Sequence, residues 1–243
     1  MGKREVLASV LVPVLMALLP VSSTAKAPKA KGTPTPTAVS GKVLSSDNPD
    51  LAPAVRDVLK KVEEAQTSVK DVQMDLKMTV QDLVSGQKQT FKGKVTIKQP
   101  DRVITHYTSP TEQFLYINGR SLMMYQPEQN MVYKKDAEKG RPPYLGVGQE
   151  LKKYAKTSRV SIAKETSDRV VLLFVPNEGE SQFNRMKVTV RKSDWWPETV
   201  EIQTSAMANK AQFLNPVFNQ GLPDSQFKFT PPPGASVVEG EIF

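Results

Sequence analysis

Few residues in this 243-residue chain could do acid–base or nucleophilic chemistry, and their spacing does not assemble a site. His106 is the single histidine, and the chain has no cysteine. Composition alone therefore excludes a histidine metal cluster, a thiolate nucleophile and a disulfide framework. No nucleophile elbow, Walker loop or dinucleotide fingerprint occurs, and Gly146-Val147-Gly148 is too short to cradle a phosphate. Asp168, Asp194, Glu198 and Glu201 fall in turns or on strand faces without the spacing of a two-carboxylate site. Trp195-Trp196-Pro197 has two readings: a carbohydrate-stacking platform, or an apolar seal at a sheet end where Pro197 opens a strand. The expectation is a protein that is not an enzyme, with no catalytic residue, no metal and no cofactor.

Apolar side chains are what the chain has in surplus. The segment FLYINGRSLMMYQPEQNMVYKK, residues 114–135, reads as three short strands joined by turns at Asn118-Gly119 and Pro127 through Asn130. A strand with one wet face alternates apolar and polar residues. Leu122-Met123-Met124-Tyr125 is apolar on both faces and needs cover on each. Met74, Met78, Met123, Met124, Met131 and Met186 all fall on predicted strands. Methionine is flexible and polarizable, and it suits surfaces that must fit varied apolar partners, though it also fills gaps in a curved sheet.

The elements that would position this surplus are mostly strands. Val72, Met74, Leu76, Met78 and Val80 alternate with polar residues, a long half-buried strand. Ser85-Gly86 turns the chain into a second strand over Phe91–Ile97. Further strands are predicted at 102–108, 113–117, 121–125, 131–134, 159–164, 169–175, 182–190, 198–205, 211–217 and 226–229. Near-regular spacing and hairpin-length links argue for one antiparallel sheet rather than βαβ units. Leu51, Val55, Val58, Leu59 and Val62 recur at helical spacing over about 51–67, with Asp47 or Asp50 as the cap. Leu145, Val147, Leu151 and Tyr154 mark a second helical stripe. The fold expected is mainly β with a few helices covering one face of a single large sheet.

The ends of the chain read differently. Lys3 and Arg4, the apolar run Val6–Leu19 and the small residues Ser23-Thr24-Ala25 form the three parts of a cleavable signal peptide, residues 1–25. Pro13 and Pro20 break the apolar run, which falls short of the roughly 20 residues a membrane span needs. Residues 26–46, rich in Pro, Lys and Thr, read as a disordered tether, and 47–243 as one domain. The location expected is the periplasm, and with no cysteine after the leader no acyl anchor is expected. Of the net charge of +8, +1 sits in the leader and +4 on Lys26, Lys29, Lys31 and Lys42, which leaves +3 for residues 47–243. That balance does not describe a nucleic-acid-binding surface.

Three motifs in order, preceded by the leader without an acylated cysteine and the N-terminal helix, resemble one family. GKVTIKQPDRV (93–103) with Tyr107 and Pro110 is similar to a strand, Lys-Arg-Pro turn and strand of the periplasmic outer-membrane lipoprotein carriers, the LolA family. YINGRSLMMYQPEQNMVYK is similar to that family's Asp-Gly-Lys-x-Leu-x-x-Tyr-Asp-Pro stretch, and FKFTPPPGASVV (227–238) to its closing strand and tail. The resemblance implies a curved antiparallel half-barrel of about 11 strands with a helical lid over an apolar cavity. It implies a soluble, monomeric carrier that takes acylated lipoproteins from an inner-membrane releasing transporter to an outer-membrane receptor. The implied cavity residues are Ile97, Val103, Leu115, Ile117 and Met123, with Val95, Tyr116, Leu122 and Met124 beside them. Leu145, Val147 and Leu151 are the implied lid contacts. The family's turn arginine, which bonds to the lid, is replaced by Gln99, which lacks its charge and fork geometry. Two other readings stand beside this one: a lipid-sensing periplasmic regulator of the same fold, and an envelope-polymer hydrolase, for which no acid–base pair is seen.

Overall fold

The computed structural model describes residues 51–136, 147–177 and 183–239. Helix α1 (Pro53–Ser68) precedes β1 (Asp71–Asp82), β2 (Lys88–Lys98), β3 (Arg102–Ser109), β4 (Gln113–Asn118), β5 (Ser121–Gln126) and β6 (Met131–Asp136). Helix α2 (Val147–Thr157) then leads into β7 (Ser158–Glu165), β8 (Arg169–Pro176), β9 (Arg185–Arg191), β10 (Trp196–Gln203) and β11 (Met207–Phe218). A short β12 (Ser236–Glu239) ends the described chain.

The strands form one curved, open sheet in the order β12-β6-β5-β4-β3-β2-β1-β11-β10-β9-β8-β7. Two antiparallel meanders, β1–β6 and β7–β11, meet where β11 returns to pair with β1. Hairpin connections fix the register, and register fixes which face each side chain takes. Gly86 and Gly119 take the left-handed backbone that the tight turns after β1 and β4 require. Gly93 answers a different need: a Cβ there would lie 2.1 Å from the His106 carbonyl oxygen, where β2 and β3 shift register. The sheet's edges are the four-residue β12 and the charged β7, whose pairing with β8 is interrupted between Ile162 and Lys164.

Two local expectations are corrected. Helix α1 starts with Pro53 in its first turn and Ala52 at the cap position, with no side-chain cap bond. Proline pre-sets the helical φ and lacks only an N–H that the first turn leaves unbonded, so no Asp cap is required. Residues 226–229 are not a strand; Asp224–Phe227 is a single 3-10 turn. The terminal strand is β12 instead, pairing in parallel with β6.

The C-terminal segment explains the doubly apolar strand. Leu122 and Met124 lie on one face of β5, and Met123 and Tyr125 on the other. On that second face Phe229 stacks on Tyr116 at 4.7 Å and packs on Tyr125 at 5.6 Å, while Phe227 is buried. Phe114, stacked between His106 and the two tyrosines, extends this cluster. The second face of the strand is therefore covered by the chain's own tail. The tail is tied down by Asp71, whose buried carboxylate accepts the backbone N–H groups of Gln220, Gly221 and Leu222 at 2.7, 3.0 and 3.3 Å.

Candidate functional site

The opposite, inner face is a continuous apolar surface, because directly opposed residues share a side of the sheet. One row runs Val72, Ile97, Val103, Ile117, Leu122, and the next runs Met74, Val95, Thr105, Leu115, Met124. On the other meander the same face carries Val170, Leu172 and Phe174 of β8 against Val190, Val188 and Met186 of β9.

Two neighbourhoods divide this face. Leu51, Val55, Val58, Leu59 and Val62, with Leu151 and Ala155 of α2, pack on β8, β9 and Ile202 of β10. The helical stripes form because these residues recur every three or four positions and bury one side. The cluster on β1–β5 and β11 is equally buried, yet among the described residues it contains no side chain of α1 or α2. Trp196 seals its end beside Met74 and Phe218: the indole N–H points at the Met74 sulfur at 3.3 Å, and the ring meets Phe218 edge-on at 5.0 Å. Trp195 lies beneath Lys61 of α1, 4.6 Å from the ring centroid. One tryptophan is thus buried in the core and the other holds a helix, an arrangement of a seal rather than a sugar platform.

Of the nine residues expected along a cavity, Val95, Ile97, Val103, Leu115, Ile117, Leu122 and Met124 fall together on the inner face. Met123 and Tyr116 face each other across β4–β5 on the outer face, so they do not belong to this set. Leu151 is buried in the helix-covered cluster. Leu145 and the Val147 side chain lie outside the described residues. Gln99, in the β2–β3 turn, donates its backbone N–H to the Lys70 carbonyl at 2.8 Å, just beyond the end of α1. The charges of that turn act elsewhere: Lys98 and Arg102 both bind Asp224, and Lys98 also reaches the Leu222 carbonyl at 2.6 Å. These bonds hold the Asp224 carboxyl below its ordinary pKa. The two helices are joined by Lys152 and Glu63, 3.0 Å apart.

Sequence reasoning missed the polar atoms set into this face. Burial pushes the Tyr107 hydroxyl well above its ordinary pKa, so it stays neutral. Thr105 Oγ1, Gln113 Oε1, Gln89 Oε1 and both amide atoms of Asn209 are buried without hydrogen-bond partners. Nothing in a period-two pattern marks them, since Thr and Asn on a strand usually face water. Among the described residues no cluster of acidic or histidine side chains could hold a metal, and no helix is long and apolar enough to cross a membrane. What this face offers is apolar adhesion with a few fixed polar points.

Comparison with known proteins gives the following. Residues 67–230 match the family model described as outer membrane lipoprotein carrier protein LolA. The chain is 26% identical over 153 residues to a Pseudomonas putida protein named outer-membrane lipoprotein carrier protein, covering 62% of this chain and 73% of that one. It is also 26% identical over 192 residues to an uncharacterized protein of Methanocaldococcus jannaschii, covering 75% of this chain and 53% of the other. Among solved structures, an uncharacterized conserved protein from Thermus thermophilus aligns with a TM-score of 0.51 at 15% identity, over 77% of this chain and 99% of that one.

Proposed function

Because this chain belongs to the LolA family of outer membrane lipoprotein carriers, we propose that it is a non-enzymatic periplasmic carrier that shields lipoprotein acyl chains on the inner face of its sheet. The observation that carries this reading is the apolar surface of β1–β5 and β11, whose described cluster has no helix residue in it. Val95, Ile97, Val103, Leu115, Ile117, Leu122 and Met124 are the proposed acyl contacts. An acyl chain of about 15 methylenes loses about 12 kcal/mol in water, at about 0.8 kcal/mol per methylene. A carrier has to hide that surface and still surrender it.

Release requires a bound and an unbound arrangement with different affinities, since equal affinity for both would shift nothing. The helix pair α1–α2, held as a unit by Lys152 and Glu63 and pinned at Lys61 over Trp195, is the proposed movable lid. Gln99, whose backbone N–H bonds to the Lys70 carbonyl where the β2–β3 turn meets the connection from α1 to β1, is the proposed influence on that motion. Cargo would come from an inner-membrane transporter and pass to an outer-membrane receptor. The test is native mass spectrometry of the mature protein taken from its own periplasm. Acylated lipoprotein in one-to-one complexes is expected. A protein that emerges free of lipoprotein, and takes none up from detergent, would end this reading.

A further inference from the structure

Asn209 is the most demanding polar group on the inner face. It is 4% exposed, and neither its amide nitrogen nor its amide oxygen has a partner. Its position is fixed by register: Asn209 lies opposite Ile202 of β10 on one side and Val80 of β1 on the other, both buried on that face. Gln89 is the next residue in the same row, beyond Val80, and its Oε1 is also buried and unpartnered. The row crosses the boundary between the helix-covered cluster, which includes Ile202, and the other cluster, which includes Val80.

A buried polar group without a partner is destabilising, and an amide with both atoms unmatched is doubly so. Leucine at this position would pack against Ile202 and Val80 with no such penalty. The retained chemistry is a donor and an acceptor on one planar group, with a further acceptor from Gln89. A trans secondary amide points its carbonyl and its N–H to opposite sides, so it can lie across Val80 with its carbonyl accepting from Asn209 Nδ2 and its N–H donating to Gln89 Oε1. An ester of the same shape supplies only the acceptor and leaves Gln89 Oε1 unmatched.

We propose that Asn209, with Gln89 across Val80 in the same row, recognises the amide linkage of an N-acylated ligand whose hydrocarbon chain lies on the inner face. This deepens the carrier reading and rests on it. The test uses N-methyldodecanamide and methyl dodecanoate, which differ only by N–H in place of oxygen, each competing against a fluorescent acyl probe on the full chain. The amide is expected to bind about tenfold more tightly. Asn209→Leu should weaken both ligands, and Gln89→Leu should abolish the preference by weakening the amide while leaving ester binding intact. Equal binding of the two ligands to the unaltered protein overturns this inference alone, and so does a preference that survives in Gln89→Leu. If neither ligand nor probe binds, the carrier reading falls with it. Should Asn209→Leu not fold, the ratio measured on the unaltered protein and on Gln89→Leu decides: an unaltered ratio near tenfold that drops in Gln89→Leu sustains the proposal, and a ratio insensitive to Gln89 overturns it.

Discussion

Val188 and Leu115 lie on the same face of the same sheet, both buried, in different surroundings. Val188 is in the cluster capped by α1 and α2. Leu115 is in the cluster to which neither helix contributes a described side chain. One half of the face has a partner written into the chain, two amphipathic stripes at helical spacing. The other half carries methionines, a threonine and unmatched amide atoms. Burial alone does not separate a core from a binding surface; the identity of the partner does.

The comparison can be broken by placing a charge in each half. Val188→Asp buries a carboxylate beneath two helices and should cost about 4 kcal/mol or more in urea unfolding, enough to prevent folding. Leu115→Asp should cost distinctly less, because a face that opens to ligand lets the carboxylate reach water, while acyl-probe affinity falls at least about tenfold. Equal destabilisation at the two sites would mean that both halves are ordinary core.

A subtler pair separates the two sides of one strand. Met124→Glu should abolish acyl-probe binding, whereas Met123→Glu, on the face under Phe229, should leave it intact and loosen the tail. Hydrogen exchange of residues 221–238 reads the second effect. If the two variants lose binding alike, the ligand face is not the one that register assigns.

Smaller effects are expected at the β2–β3 turn. Asp224 has a depressed pKa because Lys98 and Arg102 bond to its charged form. Its tie to β2 and β3 is thus fully present above the ordinary value of 3.8 and lost as pH falls through the depressed one. Protection of the tail amides against exchange, relative to the intrinsic rate, should fall at low pH in the native chain, with that acid step absent in Asp224→Asn. Gln99→Arg should slow ligand entry by no more than about fivefold, the range of one exposed ion pair. A larger change, read by stopped flow, would make position 99 a true latch.

Much of this was legible in the residues. The period of two over Val72–Val80, the Ser85-Gly86 turn and the stripe Leu51–Val62 each specify an element through local spacing, and the elements form. The Leu122–Tyr125 stretch was legible only in half. Apolar residues in unbroken succession have no period, so nothing local says whether Met123 or Met124 points inward. The answer depends on Phe229, more than a hundred residues away, and on register inherited from neighbouring hairpins. The missed start of α1 has a local cause, Pro53 in the first turn, whereas at Asp224–Phe227 contacts from outside the segment, Lys98 and Arg102 on Asp224, override its own propensities. Unmatched atoms such as those of Asn209 are invisible to any pattern, because a residue type does not disclose whether its partners exist.

The short parallel strand β12 has a meaning for life in a crowded compartment. An open sheet ends in two rows of unpaired backbone groups, and each is a template on which a second molecule can add strands. Here β6 is masked by four residues of the chain's own tail, too few to seed a long pairing. At the far end β7 bears Arg159, Lys164 and Glu165 and breaks register between Ile162 and Lys164. The molecule can therefore keep its sheet open without becoming the first layer of a fibril.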